Sequence, residues 1–410
     1  MNYWPVLFLL FFLLSGEAFP NEKFAGHNSE TKVDAPYLVV LSMDGFRWDY
    51  TNLYYTPTLD SIANVGVKAQ SMMPSFPSKT FPNHYTMATG LYPEHHGIVL
   101  NSFTDPQLGA YSLSKRGAVQ NPAFYLGEPI WVTAEKQGLR SACFFWPGSE
   151  APIQGYYPDI WKVYDGSVSY QSRIDSVVAW LQKPAPKRPH LVMWYVDEPD
   201  HVGHKYGPES LKTRQTVERL DSLLGVFCRK INQLPCKDSV NLVFTADHGM
   251  GAISPDRAMN LRSHLNDEWV SETKGGNPVI MIQPTPGNRD KIVAALQRVA
   301  HLNVYTRESM PESLHYNESN RIFDVVCVAD SSWSIYWDRA RFPSGGTHGY
   351  DPVNRDMHAL FYAVGPAFKQ HYQQATFQNI NLYALFAEIL GLSPAKTDGN
   401  LDEVKGMLVE

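Results

Sequence analysis

The stretch YLVVLSMD, residues 37–44, is an apolar run that ends abruptly in an acidic residue. Two further runs of the same kind follow, LVMWYV at 191–196 and NLVFTA at 241–246. Short apolar runs rich in β-branched and aromatic residues are typical of parallel strands that are buried on both faces. The sequence therefore predicts an α/β fold with a mostly parallel central sheet and helices on both faces.

Helical periodicity separates these runs. Apolar residues recur at i, i+3, i+4 and i+7 over 174–181, and approximately so over 217–227, which favours amphipathic helices. Another apolar run at 360–364 predicts a further buried strand. Because the sequence has no repeat and no long low-complexity linker, we expect residues 35–410 to form a single domain.

Polar side chains stand where the apolar runs stop. Asp44 ends the first run, and Asp247 and His248 end the third. Asp200 follows the second run, with His204 four residues later and on the same face if a helical turn begins there. Carboxylate and imidazole ligands suit zinc, and the lack of cysteine at these positions suits a catalytic site. Each pair alone is commoner as a solvated helix face or a turn, but together at strand ends they predict one metal site.

Two further segments supply a hydroxyl group and a third histidine. Thr80 precedes Phe81 and Pro82 at the predicted start of a helix, where free N–H groups suit an alkoxide or a phosphate. A glycine-rich loop, GGTHGYDP at 345–352, presents His348. Taken alone, Thr80 would be interpreted as a helix cap, and it is the metal-ligand set that favours a nucleophile.

These segments resemble the nucleotide pyrophosphatase/phosphodiesterase family of the alkaline phosphatase superfamily. The matching segments occur in the family's order: SMDGFR (42–47), KTFPNHY (79–85), HGIV (96–99) with Asn101, EPD (198–200) with His204, DHGM (247–250) and THG (347–349). The resemblance implies an alkaline-phosphatase-like fold and a phosphodiesterase catalytic domain over residues 35–410. Larger animal members carry additional cysteine-rich and nuclease-like domains, so we interpret the chain as a catalytic-core-only form.

The resemblance also implies an enzyme with two Zn²⁺ ions per chain. Each ion would have its own ligands: Asp200, His204 and His348 for one, and Asp44, Asp247, His248 and the Thr80 oxygen for the other. A metal pair can stabilise the attacking and the leaving oxygen of an in-line displacement. Thr80 would attack phosphorus and form a covalent intermediate, and Asn101 would donate its side-chain amide to a non-bridging phosphate oxygen.

Nucleotide substrates are a further implication of the resemblance. Phe81 and Tyr164 match two aromatic residues that sandwich a nucleobase, and Tyr195 matches another pocket position. The stretch that leads to Tyr164 resembles an insertion kept by nucleotide-cleaving members, which assigns Trp146 to the pocket, and Lys79 is expected to handle the phosphate. Stacking tolerates any base, so the prediction is broad cleavage at the α-phosphorus, with ATP giving AMP and pyrophosphate. Each aromatic residue alone would be interpreted as core packing.

Charge and composition restrict the partners. The 410 residues carry a formal net charge of −6, which gives no general attraction to nucleic acid, and 44% of them are hydrophobic. We therefore expect nucleotide small molecules as substrates, no nucleic-acid polymer and no stable membrane insertion. The sequence does not indicate an oligomeric state.

The first 18 residues have the features of a signal peptide. VLFLLFFLL at 6–14 is apolar and is followed by small residues up to Ala18, but it is too short to span a bilayer. After cleavage behind Ala18, residues 19–34 would form a polar leader. The protein is therefore predicted to be secreted or periplasmic.

Four cysteines would meet an oxidising compartment after secretion. Cys228 and Cys236 are close enough in sequence for a local disulfide to be one expectation, and the sequence leaves their pairing open. Cys143 lies in an apolar run and is expected to be a buried thiol.

Three other functions are alternatives to a nucleotide phosphodiesterase. A sulfatase of the same superfamily would need arginine where the sequence has Lys79, so that alternative fails. A phosphodiesterase that acts on phospholipid or choline headgroup diesters remains open. A secreted binding protein on the same scaffold would normally have lost a ligand or the nucleophile, and the sequence has lost neither.

Overall fold

The computed structural model describes residues 35–410, and its largest feature is an eight-stranded sheet. The strands of this part of the chain are β1 (Tyr37–Met43), β2 (Val67–Ala69), β3 (Met72–Met73), β4 (Ser102–Asp105), β5 (Gly109–Ser112), β6 (Ser141–Phe144), β7 (Ile160–Lys162), β8 (Leu191–Val196), β9 (Val240–Thr245), β10 (Gly251–Ile253), β11 (Ala258–Asn260), β12 (Val270–Gly276), β13 (Val279–Pro284), β14 (Leu302–Thr306), β15 (Val325–Ala329), β16 (Ser334–Tyr336), β17 (Gly345–Thr347), β18 (Phe361–Val364), β19 (Tyr372–Gln374) and β20 (Phe377–Gln378). The α-helices are α1 (Tyr50–Leu53), α2 (Pro57–Val65), α3 (Thr80–Thr89), α4 (Pro93–His96), α5 (Arg116–Val119), α6 (Ile130–Lys136), α7 (Tyr170–Leu181), α8 (Asp200–Tyr206), α9 (Leu211–Ile231), α10 (Arg289–Leu296) and α11 (Leu382–Ile389). The predicted signal peptide and polar leader, residues 1–34, lie outside the described residues.

The three apolar runs form the centre of the large sheet. Its strand order is β19-β2-β18-β9-β1-β8-β6-β7, and β1 pairs in parallel with both β9 and β8. Strand β6 continues the parallel arrangement with β8 and β7. Every residue of β1 and β9 is buried, as expected for strands covered on both faces. The predicted fold, a mostly parallel sheet with helices, is confirmed.

One strand of the sheet runs against the others. The predicted strand at 360–364 is β18, and it pairs antiparallel with β9 on one side and β2 on the other. Hydrophobic runs indicate burial but not direction, so the sequence predicted the strand without its orientation.

Two groups of helices cover the sheet. Helices α2 and α7 pack against α9, while α3, α6 and α11 pack against one another. The predicted helices at 174–181 and 217–227 are α7 and α9, and each begins with a serine cap. Ser169 accepts a hydrogen bond from the Ser172 backbone N–H, and Ser210 accepts one from that of Thr213.

A second, antiparallel sheet has the order β12-β13-β15-β14 and a separate apolar core. Ile280 and Ile282 of β13 pack there with Val325 of β15 and with Ile292 of α10. This sheet flanks the loop that follows β17. Over the described residues 35–410, no helix has the length and apolar character that crossing a membrane would require.

Candidate active site

Three neighbouring strands deliver acidic side chains to one place. Strands β9, β1 and β8 lie side by side, and Asp247, Asp44 and Asp200 follow them within a few residues. The His248 Nε2 atom lies 2.9 Å from Asp247 Oδ2 and 3.4 Å from Asp44 Oδ1. The structure thus brings these predicted ligands together at the carboxyl ends of parallel strands, where α/β sheets bind their ligands.

Two more histidines approach the Asp200 carboxylate. His204 lies on the same face of α8, with Nε2 3.3 Å from Asp200 Oδ1, and the loop after β17 places His348 Nε2 3.6 Å from that oxygen. Two sets of ligand atoms each lie within 4.8 Å of one another: Asp200, His248 and His348, and Asp44, Asp247 and His248. His248 is common to both sets, so these five residues form one continuous cluster of candidate ligands.

All three ligand histidines hydrogen-bond in the same way. Their Nδ1 atoms donate to backbone carbonyls: His204 to Gly346 at 2.9 Å, His248 to Gly249 at 2.8 Å and His348 to Ser78 at 2.7 Å. Because a carbonyl oxygen can only accept, each ring carries a proton on Nδ1, and in the neutral ring Nε2 presents a lone pair to the carboxylates. Such an anchor orients a histidine for metal binding.

One oxygen of each of the three carboxylates lacks a hydrogen-bond donor. Asp44 Oδ1, Asp200 Oδ1 and Asp247 Oδ2 are buried and accept no hydrogen bond from the described residues. Burial and the adjacent Asp247 carboxylate raise the pKa of Asp44 well above its usual value. Burial, together with the charge of His248, lowers the pKa of His348, which keeps that ring neutral. Burying a carboxylate oxygen without a partner costs free energy. This donor set therefore fits a divalent cation that takes oxygen and imidazole ligands, such as zinc.

Thr80 is the first residue of α3 and lies beside this ligand set. Its Oγ1 atom is 3.3 Å from His248 Nε2. Helix α3 is preceded by Lys79, which is in an extended conformation and makes no side-chain capping bond. The backbone N–H groups of the first turn have no partner within the helix and give its start a partial positive charge. The hydroxyl is therefore placed for attack on an anionic group.

Asn101 is oriented towards the start of the same helix. Its Oδ1 atom accepts a hydrogen bond from the Phe81 backbone N–H at 3.0 Å. This bond fixes the orientation of the side-chain amide, because Oδ1 is bonded to the N–H of Phe81, the residue next to Thr80. The Nδ2 donor remains available for a phosphate oxygen there.

Aromatic side chains lie on another side of the ligand set. Tyr195 donates its hydroxyl to Asp44 Oδ2 at 2.6 Å, and its ring centroid lies 6.2 Å from that of Tyr164. Tyr164 in turn contacts the edge of Phe145, with centroids 5.2 Å apart. We call Phe145, Tyr164 and Tyr195 the aromatic wall. Phe81, half-buried, is the second residue of α3 and follows Thr80 directly.

Comparison with known proteins agrees with this geometry. The sequence pattern of the family described as type I phosphodiesterase / nucleotide pyrophosphatase matches residues 38–351. The chain belongs to this family. The match extends from β1 to the loop that carries His348, and so includes all of the predicted metal ligands.

Curated relatives of the chain are family members from animals. The chain is 36% identical over 389 residues to human ectonucleotide pyrophosphatase/phosphodiesterase family member 1, an alignment that covers 92% of this chain and 42% of the relative. It is 38% identical over 384 residues to venom phosphodiesterase 2 of Crotalus adamanteus, covering 90% of this chain and 47% of the relative. The chain thus spans a little under half the length of these curated relatives.

Solved structures of the family share the fold. Murine ectonucleotide pyrophosphatase/phosphodiesterase 5 superimposes with a TM-score of 0.87 at 33% identity, covering 91% of this chain and all of the murine one. The human counterpart gives the same TM-score at 31% identity. The alkaline-phosphatase-like fold expected for this family is therefore confirmed.

Close backbone contact brings the His348 loop of this family member against α8. A Cβ atom on Gly345 would lie 2.1 Å from the His204 carbonyl oxygen, and one on Gly346 would lie 2.7 Å from that of Gly203. Gly345 also has a φ of +126°, a backbone conformation that residues with a side chain rarely adopt. The glycines of the loop therefore allow His348 and His204 to reach one carboxylate.

Lys79 has a different contact from the one expected. Its Nζ atom donates to the carbonyls of His348 at 2.6 Å and Asn277 at 2.8 Å, and burial lowers the pKa of Lys79 to about 8. In the structure the ammonium group holds the backbone of the loop that carries His348, and a role of Lys79 towards the phosphate stays a prediction.

Trp146 also differs from its expected place in the pocket. Its side chain is 1% exposed, and the indole N–H donates to the His84 carbonyl of α3 at 3.1 Å. The ring packs edge-on against the His84 imidazole, with centroids 5.0 Å apart. Trp146 therefore supports the nucleophile helix from within the core.

Ser78 is a functional residue that the sequence patterns missed. Its hydroxyl donates to the Tyr350 carbonyl at 2.9 Å and accepts from the Gly349 N–H at 3.0 Å, while its own carbonyl anchors His348. These bonds join the segment before Thr80 to the ligand loop. A serine in this context carries no sequence signal beyond its place next to Lys79 and Thr80.

The expected disulfide is absent from the structure. All four cysteines, Cys143, Cys228, Cys236 and Cys327, are free thiols. The Cys236 sulfur faces the Leu181 carbonyl oxygen at 3.8 Å instead of Cys228, and burial raises the pKa of the Cys228 thiol to about 11. Cys143 is buried, as predicted.

Proposed function

We propose that the protein is a secreted nucleotide phosphodiesterase/pyrophosphatase that cleaves at the α-phosphorus and releases a nucleoside 5′-monophosphate, with residues 35–410 as its catalytic domain. The observation that carries this proposal is the position of Thr80. Its Oγ1 atom lies at the start of α3 and 3.3 Å from His248 Nε2, beside three buried carboxylate oxygens without partners. A hydroxyl, a cation site and the positive end of a helix together suit displacement at phosphorus.

Two zinc ions are the proposed cofactors. Their ligands would be Asp200, His204 and His348 for one ion and Asp44, Asp247, His248 and Thr80 for the other. The carbonyl-anchored imidazoles and the unpartnered carboxylates support this assignment. When bound, such ions supply a Lewis acid for the phosphate and lower the pKa of a hydroxyl ligand.

The chemistry proposed for the protein's own residues has two steps. Thr80 Oγ1 forms a bond to the α-phosphorus while the bond to the pyrophosphate oxygen breaks. A water molecule then attacks the phosphothreonine and releases the nucleoside monophosphate. The side-chain amide of Asn101, fixed by its bond to the Phe81 N–H, would donate to a non-bridging oxygen in both steps.

The nucleoside would be held beside Thr80 by stacking. Tyr164 is 41% exposed and therefore offers a free ring face, and Phe81 is adjacent to the nucleophile. One murine structure similar to this chain is described as an inactive threonine-to-alanine variant in complex with AMP. That description supports both a threonine nucleophile and a nucleotide substrate for the present chain.

Secretion is supported by the relatives. They are named as ectonucleotide enzymes and venom phosphodiesterases. Together with the apolar segment at 6–14, these names favour export of the protein.

Hydrolysis of ATP in ¹⁸O-labelled water tests the proposal. The expected products are AMP and pyrophosphate, with the label in AMP alone, because water enters at the phosphorus bound to Thr80. Release of ADP and inorganic phosphate would contradict cleavage at the α-phosphorus. Glycerophosphocholine in a parallel assay decides the open alternative, since faster turnover of this diester than of ATP would favour a headgroup phosphodiesterase.

A further inference from the structure

A fully buried arginine lies behind the aromatic wall. Arg173 of α7 is 0% exposed, and burial of a guanidinium requires that its donors be paired. Its Nε atom donates to the Val168 carbonyl at 3.0 Å, and Nη1 donates to Asp197 Oδ1 at 3.0 Å and to the Tyr195 carbonyl at 3.4 Å. The Arg173 side chain is therefore held in one position by bonds on several sides.

The guanidinium of Arg173 also packs against two rings. Its central carbon lies 5.1 Å from the centroid of Phe145 and 4.9 Å from that of Tyr170. A cation over an aromatic face stabilises the ring position by electrostatic attraction, more strongly when both groups are away from water. Arg173 thus stabilises the placement of Phe145.

Phe145 needs such stabilisation. Its φ is +65°, in the left-handed region that is unfavourable for a bulky side chain. Strained backbone of this kind persists where surrounding contacts determine it, and it is concentrated at functional sites. Here the conformation puts the Phe145 ring between Arg173 and Tyr164, with its centroid 5.2 Å from that of Tyr164.

We propose that Arg173 is a specificity-determining residue: by fixing Phe145 behind Tyr164, it positions the ring on which a planar nucleobase stacks. The proposal rests on the proposed function, because it assumes that the substrate carries a base. Arg173 touches neither the metal ligands nor Thr80 through its side-chain donors. Its loss should therefore weaken selection of the base more than it slows the reaction at phosphorus.

Two substrates with the same leaving group separate these effects. The p-nitrophenyl ester of thymidine 5′-monophosphate carries a base, whereas methyl p-nitrophenyl phosphate has none. For Arg173→Met we expect KM for the thymidine ester to rise about tenfold, the lower end of a lost stacking contact. The kcat for that ester, and kcat/KM for the methyl ester, should stay within about threefold of wild type.

Arg188→Met is the matched control. Arg188 also donates to a carbonyl, that of Lys183 at 3.0 Å, and its guanidinium lies 5.2 Å from the ring centroid of Tyr37. Tyr37 begins β1, whose other end leads to Asp44, about 20 Å away at the usual rise of a strand. This control should leave KM for both esters unchanged.

Thermal unfolding shows whether Arg173→Met folds, and two further variants test the proposal if it does not. Arg173→Lys keeps the charge but not the planar group, so it should restore part of the lost affinity. Phe145→Leu removes the intervening ring and should raise KM for the thymidine ester in the same way as Arg173→Met.

Two results would overturn the proposal. One is an equal fall of kcat/KM for both esters in the folded variants, and the other is an unchanged KM for the thymidine ester. If the wild-type protein does not prefer the thymidine ester at all, the proposed function itself fails, and this outcome is distinct from the others.

Discussion

The metal end and the aromatic wall are built in different ways. We use "metal end" for Asp44, Thr80, Asp200, His204, Asp247, His248 and His348. In this set Asp247 and His248 are 0% exposed, and every histidine has a carbonyl anchor. In the wall, Tyr164 is 41% exposed and is placed by the edges of neighbouring rings. The difference is that backbone carbonyls fix the histidines of the metal end, whereas the contacts given for the Tyr164 ring are with neighbouring aromatic rings.

Tyr195 connects the two regions. Its hydroxyl donates to Asp44, and its ring lies beside Tyr164. If the two regions act separately, changes at the metal end should reduce kcat for every substrate, and changes in the wall should raise KM for nucleotides only. The predictions that follow test this separation.

Loss of the nucleophile should have the largest effect. Thr80→Ala should lower kcat on the order of 10⁶-fold for both the thymidine and the methyl ester, as expected when a nucleophile is removed. Thr80→Ser keeps the oxygen and should retain a measurable fraction of the activity. Steady-state rates and zinc content of the purified variants give the comparison. Activity near that of wild type in Thr80→Ala would rule out covalent catalysis by this residue.

Acid should weaken the packing that supports the metal end. Burial lowers the pKa of His96 to about 3, from its usual 6.5, and the ring donates from Nε2 to the Pro82 carbonyl of α3. The unfolded chain binds a proton at His96 below about pH 6.5, whereas the folded protein does not until about pH 3, so stability is lost as the pH falls between these values. This residue should account for a loss of about 2–3 kcal/mol by pH 4.5.

Denaturant unfolding at several pH values checks this expectation, with His96→Asn as the comparison. The variant should be less stable at neutral pH, because it loses the bond to the Pro82 carbonyl. Its stability should then fall less steeply than that of wild type between pH 6.5 and 4.5. Parallel curves for the two proteins would show that His96 does not titrate in this way.

A comparison of two buried histidines tests whether zinc affinity depends on the histidine of the metal end. His348→Ala removes an Nε2 that faces Asp200, so its zinc affinity should fall by at least about 10–100-fold and its activity with it. His358→Ala is the control, because His358 hydrogen-bonds Ser71 and the Pro352 carbonyl through both ring nitrogens. Chelation should abolish wild-type activity and added zinc should restore it. Equal zinc affinity in the two variants would mean that His348 is not a ligand.

That the candidate ligands meet at one place could be predicted, whereas the backbone groups that anchor them could not. Asp44, Asp200 and Asp247 each follow an apolar run, and parallel strands bring their carboxyl ends to one edge of the sheet. The carbonyls of Gly346, Gly249 and Ser78 hold the histidines, and a backbone carbonyl has no sequence signature. Only the folded chain shows which carbonyl a ring will meet.

Lys79 and Trp146 show the same limit for side chains. Both are close in sequence to residues of the site, and both are amphipathic, with an apolar body and a polar tip. Both lie in segments that resemble those of the family, and contact with substrate was expected of both. In the structure the tip of Lys79 meets the carbonyls of Asn277 and His348, and that of Trp146 meets the carbonyl of His84. The direction of β18 is a comparable case, because burial determines its composition and pairing determines its orientation.

The smallest effect is expected in the aromatic wall itself. Tyr164→Ala should raise KM for the thymidine ester by about tenfold, because the base loses one stacking surface. The methyl ester has no base, and Tyr164 makes no bond to a metal ligand in the described structure, so its kinetics should hardly change. Tyr164→Phe keeps the ring and should behave like wild type with both esters. If Tyr164→Ala slowed the two esters equally, the ring would act through Tyr195 on Asp44. The metal end and the wall would then be one mechanical unit, and the separation drawn from their burial and hydrogen bonding would not hold.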